Sequence, residues 1–180
     1  MRITGLLATL LISMMAATQV AAKDLSIKAF SGLWEGNAVS QSNTSVNFPI
    51  TSRDLDVHIK PESDTRFVIT WRTLQRQKGD PNQPKTEVKE TTRTYQKEAD
   101  GSIWREVGGG DPFAGGALSW ASLDGQALTI YSMAVRKKGG YDMLVYKRTL
   151  TGLNMKLDFK AIRDGNLRRT AGGTLIKTSN

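Results

Sequence analysis

The chain has 180 residues, no cysteine, a single histidine and a formal net charge of +8. Without cysteine there are no disulfides, no thiol redox chemistry and no cysteine-ligated zinc or iron–sulfur site. Basic residues are spread from Lys28 to Lys177, with only short pairs such as Lys137–Lys138 and Arg168–Arg169. A nucleic-acid reader usually concentrates its charge on one face, so the charge argues for solubility, with attraction to anionic lipid or polysaccharide surfaces as the alternative.

The first element is a leader. "MRITGLLATLLISMMAATQVAA" has a positive charge at Arg2, an apolar run from Ile3 to Ala17, and small residues Val20 and Ala22 before Lys23. These are the parts of a secretory signal peptide. A membrane anchor is the competing reading, but Thr4, Gly5, Thr9 and Ser13 interrupt a core that a span would need to be almost wholly apolar. Residues 1–22 are therefore expected to be removed, leaving a periplasmic or secreted domain of residues 23–180. That length suits one domain.

The mature part reads as β almost throughout. "KDLSIKAF" (23–30) is the one candidate helical turn, with Leu25, Ala29 and Ile27 toward the core. "FSGLWEGNAV" (30–39) starts the first strand. "RDLDVHIK" (53–60) places Leu55, Val57 and Ile59 on one face, and His58 with Asp54, Asp56 and Lys60 on the other; a period of two marks a half-buried strand. "PESD" is a proline-led turn, and "RFVITWRT" (66–73) repeats the alternation with Phe67, Ile69 and Trp71.

A polar segment with two prolines (75–87) is expected to be a hairpin tip. The strand at 86–97 is polar on both faces, so it either projects from the sheet or gives an interior polar contacts. Strands follow at 102–107, 117–123, 127–135, 141–150, 153–162 and 167–178. "ADGS", "LDGQ", "KKGGYD" and "RDGN" separate them with the Asp-Gly and Gly-Gly pairs of tight hairpins. The glycine-rich loop 107–117 reads either as a portal flap carrying Phe113 or as a slack connection. No Gly-Lys-Ser/Thr follows it, so it is not a phosphate cradle.

Loops this short make consecutive strands antiparallel neighbours. An open meander of nine or ten strands would curl and expose its edges. The fold class is therefore all-β, a single antiparallel up-and-down barrel of about 8–10 strands, whose closure removes the edges. A β-sandwich is the alternative.

Gly32-Leu33-Trp34 at the head of an all-β exported chain resembles the first-strand Gly-x-Trp of lipocalins. "GLWEG", ending at Gly36, is similar to the Gly-x-Trp-x-Gly of nitrobindin-like proteins. The resemblance is to the calycin-type barrels, which also include the fatty-acid-binding proteins and avidins. It implies that Trp34 closes the narrow end and that a basic residue of the last strand, Arg168 or Arg169, packs across it through a cation–π contact. The chain also departs from these families. Residues 40–53 are too short for a helical lid, and no helix follows the barrel. The one histidine, His58, does not match the C-terminal haem ligand of nitrobindin-like proteins.

No Ser-His-Asp or Cys-His set is available, no metal-ligand cluster stands out, and no cofactor is called for. The expected function is non-enzymatic: an exported binding protein that carries or senses a small, largely apolar ligand in a barrel lumen. Phe67, Trp71, Trp104, Phe113, Trp120 and Tyr131 are the candidate lining residues, and Tyr146 is a further candidate; the facing of Trp104, Trp120 and Tyr146 is not fixed by the sequence. The alternative is an envelope interaction protein with a filled core and a basic surface that contacts anionic lipid or protein. No nucleic-acid partner and no membrane span are expected of the mature chain.

Overall fold

Ten antiparallel strands run in chain order around one closed barrel. The structure is a computed structural model describing residues 25–46, 50–76, 85–99 and 101–180. The leader 1–22 and most of the hairpin tip at 75–87 lie outside the described residues. The strands are β1 (Gly32–Ser42), β2 (Ile50–Ser63), β3 (Arg66–Arg76), β4 (Lys85–Lys97) and β5 (Ile103–Glu106), then β6 (Leu118–Asp124), β7 (Ala127–Val135), β8 (Tyr141–Thr151), β9 (Asn154–Arg163) and β10 (Asn166–Ser179). Each pairs with the next, and β1 pairs with β10 to close the ring. The sandwich alternative is thereby excluded. Among the described residues no helix is long and apolar enough to cross a membrane.

Alternation sets the two faces. On β2, Leu55, Val57 and Ile59 are buried and His58 is exposed. On β9, Met155 and Leu157 are buried, whereas Leu153 stands in the β8–β9 turn and is exposed. The expected "PESD" turn is shorter than its sequence suggests: β2 continues through Pro61 to Ser63, with a register irregularity between them, and only Asp64 and Thr65 turn. A bulge lets proline's missing N–H fall where the ladder is already broken.

The β2–β3, β4–β5, β6–β7 and β8–β9 turns gather at one end, which is plugged. A single 3-10 turn, Ile27–Phe30, lies across it and buries Ile27 and Phe30. Ala29, expected inward, is exposed, because a 3-10 turn repeats every three residues and selects Ile27 and Phe30 instead. Leu25 N donates to Gly125 O at 2.9 Å, and Trp34 Nε1 donates to Phe30 O at 2.9 Å. Trp34 is therefore a buried closure residue, sitting opposite Val57 on β2 and Lys177 on β10. Behind it, Phe67 stacks on Tyr95 at 5.1 Å and meets Trp104 edge-on at 5.1 Å.

The basic residue across Trp34 is not Arg168 or Arg169. Lys177 Nζ lies 5.8 Å from the Trp34 ring centroid. Antiparallel register decides this: β1 starts where β10 ends, so Trp34 meets Lys177, while Arg169 faces Ser42 at the opposite end.

The β1–β10 seam is held close by glycines. A Cβ on Gly36 would run into the Thr174 carbonyl, and one on Gly173 would run into the Asn37 carbonyl. Gly32 has φ +120°, a region that other residues rarely adopt. Gly36→Ala is expected to cost about 1–3 kcal/mol through overpacking at this seam, measured by urea unfolding. Trp34→Ala is expected to cost about 3–5 kcal/mol in the same assay while leaving the opposite end of the barrel able to bind.

Candidate functional site

The end opposite the plug is hollow. A cavity of about 430 Å³ opens there. Its aromatic wall comes from Trp71 on β3, Tyr146 on β8 and Phe159 on β9, with Trp71 and Tyr146 centroids 5.5 Å apart and Tyr146 and Phe159 centroids 4.8 Å apart. Ala38, Ala161 and Ala171, inward on β1, β9 and β10, leave the room that larger side chains would fill.

The rest of the lining is cationic. Arg53, Lys89, Arg93, Arg168 and Arg169 border the cavity, and among the described residues no carboxylate does. A register irregularity between Leu167 and Arg169 lets two consecutive arginines do so. Burial pushes the Arg53 guanidinium below its ordinary pKa, and repulsion from Arg169 adds to this. Like charges drawn together at a mouth raise the local potential for an anion.

Two arginines lie deeper, and they are treated differently. Arg93 Nη1 reaches Glu106 Oε2 at 3.3 Å and Ser132 Oγ at 3.3 Å. Arg148 is 2 % exposed, and its Nε and Nη1 have no hydrogen-bond partner. Its guanidinium carbon lies 5.7 Å from the Trp71 ring centroid and 5.5 Å from that of Tyr146. Desolvation is the main cause that lowers its pKa, to about 10, with Tyr146 and Tyr95 opposing. It therefore stays charged at neutral pH. Removing an unpaired guanidinium from water costs several kcal/mol. Two cation–π contacts return only about 1–2 kcal/mol each, so a net penalty remains.

The neighbouring tyrosines are also shifted. Tyr146 is raised by burial, against the pull of Arg148 and Arg93. Tyr95 is raised by burial too, against the pull of Arg93. Ser119 Oγ donates to Tyr131 O at 2.8 Å, so the Tyr95 hydroxyl is the donor in its 2.8 Å contact with Ser119.

The expected lining residues divide. Trp71 is in the cavity wall. Phe67 and Trp104 are buried in the packed floor toward the plug. Phe113 is 84 % exposed, on a 3-10 turn capped by Asp111 Oδ1, which accepts from Phe113 N at 2.8 Å; it does not border the cavity. Trp120 and Tyr131 are on the outer face, stacked on each other across β6 and β7 at 5.0 Å, because Ser119 and Ala121 take the inward positions of β6. Aromatic type alone does not reveal facing.

Sequence reasoning missed Arg53, Lys89, Arg93 and Arg148. The signal was strand phase. Arg148 falls in step with Leu144, Tyr146 and Leu150, and Arg53 falls in step with Leu55, Val57 and Ile59. A charge in the apolar phase of a strand points inward. Arg168 and Arg169, expected at the plug, belong to the mouth instead.

Among the described residues no three His, Asp or Glu side chains cluster to hold a metal. A histidine-ligated haem does not fit either, since His58 is exposed on the outer face of β2, away from the lumen.

This is a closed ten-strand antiparallel up-and-down barrel with an aromatic, cation-rimmed cavity at its open end. A solved structure with the same fold is Rv2717c from M. tuberculosis, with a TM-score of 0.54 and 10 % sequence identity over 84 % of this chain and 96 % of that one. The S-type phycobiliprotein lyase CPES from Guillardia theta superposes more loosely, with a TM-score of 0.41 and 9 % identity over 87 % of this chain and 94 % of that one. No family model and no curated protein matches the sequence.

Arg148→Met is expected to raise ligand-free stability at pH 7 by about 1–4 kcal/mol, read from urea unfolding. Both the folded and unfolded states hold the Arg148 proton at pH 7, so the penalty is whole there. It is relieved as pH rises from about 10 toward the ordinary arginine value. The advantage of the variant should shrink over that window. Tyr95 and Tyr146 act the other way in both proteins: their stabilisation is whole below the ordinary tyrosine pKa of 10.0 and is lost as pH rises past it.

Proposed function

We propose that the chain is an exported, non-enzymatic binding protein that holds a small, largely apolar ligand in the open half of its barrel. The observation that carries this reading is the cavity of about 430 Å³ walled by Trp71, Tyr146 and Phe159. Ligand pockets are commonly about 300–1,000 Å³, mostly apolar, with a few placed polar groups. The hollow open end favours a carrier or sensor over an interaction protein with a filled core.

A non-enzymatic role is supported by what faces the lumen. Acid–base or nucleophilic catalysis needs a nucleophile beside a base. Among the described residues the cavity offers hydroxyls and cations, and neither a histidine nor a carboxylate lines it. Export is supported by the leader pattern of residues 1–22.

Protein purified without denaturation from the periplasm or medium of its own host should carry a small molecule visible by native mass spectrometry. Its N-terminus, read by Edman sequencing, should be Lys23. Ala161→Trp, which fills the cavity from β9, is expected to release that molecule with little loss of stability. A chain that remains empty, and whose tryptophan fluorescence does not change across a panel of lipids and pigments, would falsify the carrier reading.

A further inference from the structure

We propose that the outer wall of β6–β9 is a docking surface for an anionic lipid bilayer, which the barrel meets side-on, with Phe113 as the inserted tip and lysines as the charged border. The surface lies outside the lumen, so the proposal stands independently of what the cavity holds.

Strand register lays out the surface. Trp120, Tyr131 and Val145 are partners across β6, β7 and β8 and form one outer row. Toward the mouth, Leu118, Met133, Met143 and Ile162 form the next row, from β6 to β9. Each of these side chains is half-buried, and Leu167, paired with Ile162 from β10, is exposed. The turn Pro112–Ala114 packs against β7 and holds the Phe113 ring out in solvent.

The opposite wall shows an ordinary solvated exterior. Across β2, β3 and β4, one outer row is Asp56, Arg72 and Glu90, and the next is His58, Thr70 and Thr92. Both walls belong to one barrel, so strand geometry does not account for the difference. Exposed apolar residues scattered singly are ordinary, whereas a contiguous apolar area marks an interaction site.

Charge selects the occupant. Lys147 follows Val145 on the same face of β8, and Lys160 on β9 is the cross-strand partner of Val145. Lys137 and Lys138 stand on the β7–β8 turn, at the mouth-side border. All four are exposed, and among the described residues none pairs with a carboxylate. The carboxylates beside the apolar rows are already engaged. Asp111 accepts from Phe113 N, Asp142 from Arg163 and Asp164 from Arg136, while Asp158 pairs with Lys156. A second copy seated on this face would bring lysine borders together, and juxtaposed like charges oppose association.

A bilayer with anionic headgroups matches both parts of the surface. Trp120 and Tyr131 have apolar bodies and polar tips, which suit the headgroup level. Met133 and Met143 are flexible enough to follow a fluid acyl boundary. The lysines gain from the negative surface potential. Peripheral binding of this kind sums buried apolar area and electrostatic attraction, so each part should be separately measurable.

The test is sedimentation of the mature protein with vesicles of phosphatidylcholine, with or without phosphatidylglycerol. Wild type is expected to bind the anionic vesicles about tenfold or more tighter, and rising salt should remove that preference. Lys137→Gln/Lys138→Gln and, separately, Phe113→Ser should each weaken binding about fivefold or more. Both sites are exposed, so circular dichroism should show the fold unchanged. Vesicles with brominated acyl chains should quench wild-type tryptophan emission, and Trp120→Phe should lose most of that quenching. Ala161→Trp, which fills the lumen, should sediment with anionic vesicles as wild type does. Absence of binding, binding indifferent to phosphatidylglycerol, or quenching that survives Trp120→Phe overturns the assignment. Loss of binding in Ala161→Trp overturns it as well, because lipid would then be entering the lumen. A concentration-dependent dimer that shields Trp120 from acrylamide also overturns it and gives the face to a second copy.

Discussion

Closure of β1 onto β10 is the constraint from which the rest of this molecule follows. Until those strands pair, the meander has two exposed edges and no inside. The seam forms because Gly36 and Gly173 present no Cβ where each strand passes the other's carbonyls, at Thr174 and Asn37. Once the ring is closed, each strand has one face toward a shared interior, and a charge in the apolar phase midway along a strand, such as Arg148, is cut off from water. The buried state of Arg148 is thus a consequence of closure, and it arises nowhere in an open sheet.

Closure also makes the two ends different. The plug end receives the Ile27–Phe30 turn, the Trp34 hydrogen bond to Phe30 O and the Phe67, Tyr95 and Trp104 cluster. Large side chains fill that half, so it acts as a scaffold. At the other end the inward positions include Ala38, Ala161 and Ala171, and the lumen stays open. The packed half can bear the cost of the hollow half because hydrophobic burial is concentrated there. That division separates residues whose loss would unfold the barrel from residues whose loss would empty it.

The alternation of β2, β3 and β9 was legible, and with it the all-β class. Asp-Gly and Gly-Gly turns made the neighbours antiparallel, and the count of strands implied a ring. The signature "GLWEG" marked the first strand and pointed to Trp34 as a closure residue; in the structure Trp34 Nε1 donates to Phe30 O at the plugged end. The partner of Trp34 was not legible. Choosing Lys177 over Arg168 or Arg169 needs the β1–β10 register, a long-range quantity with no local signal. Of the candidate site, Trp71 was legible with its facing, and Tyr146 only as an aromatic of unfixed facing. Trp120 and Tyr131 stack on the outer face, where large rings also gain by covering one another.

The sequence by itself determined the period of two, the turns and therefore the antiparallel meander. These are local properties of the backbone and its side-chain pattern, and they require no knowledge of distant neighbours. It also held, unread, the charges out of place at Arg53, Arg93 and Arg148. Tertiary structure alone decided which residues met across the barrel: Lys177 on Trp34, Glu106 on Arg93, and no carboxylate on Arg148. Pairing across a closed ring depends on register and tilt accumulated over ten strands, and no single segment encodes that sum.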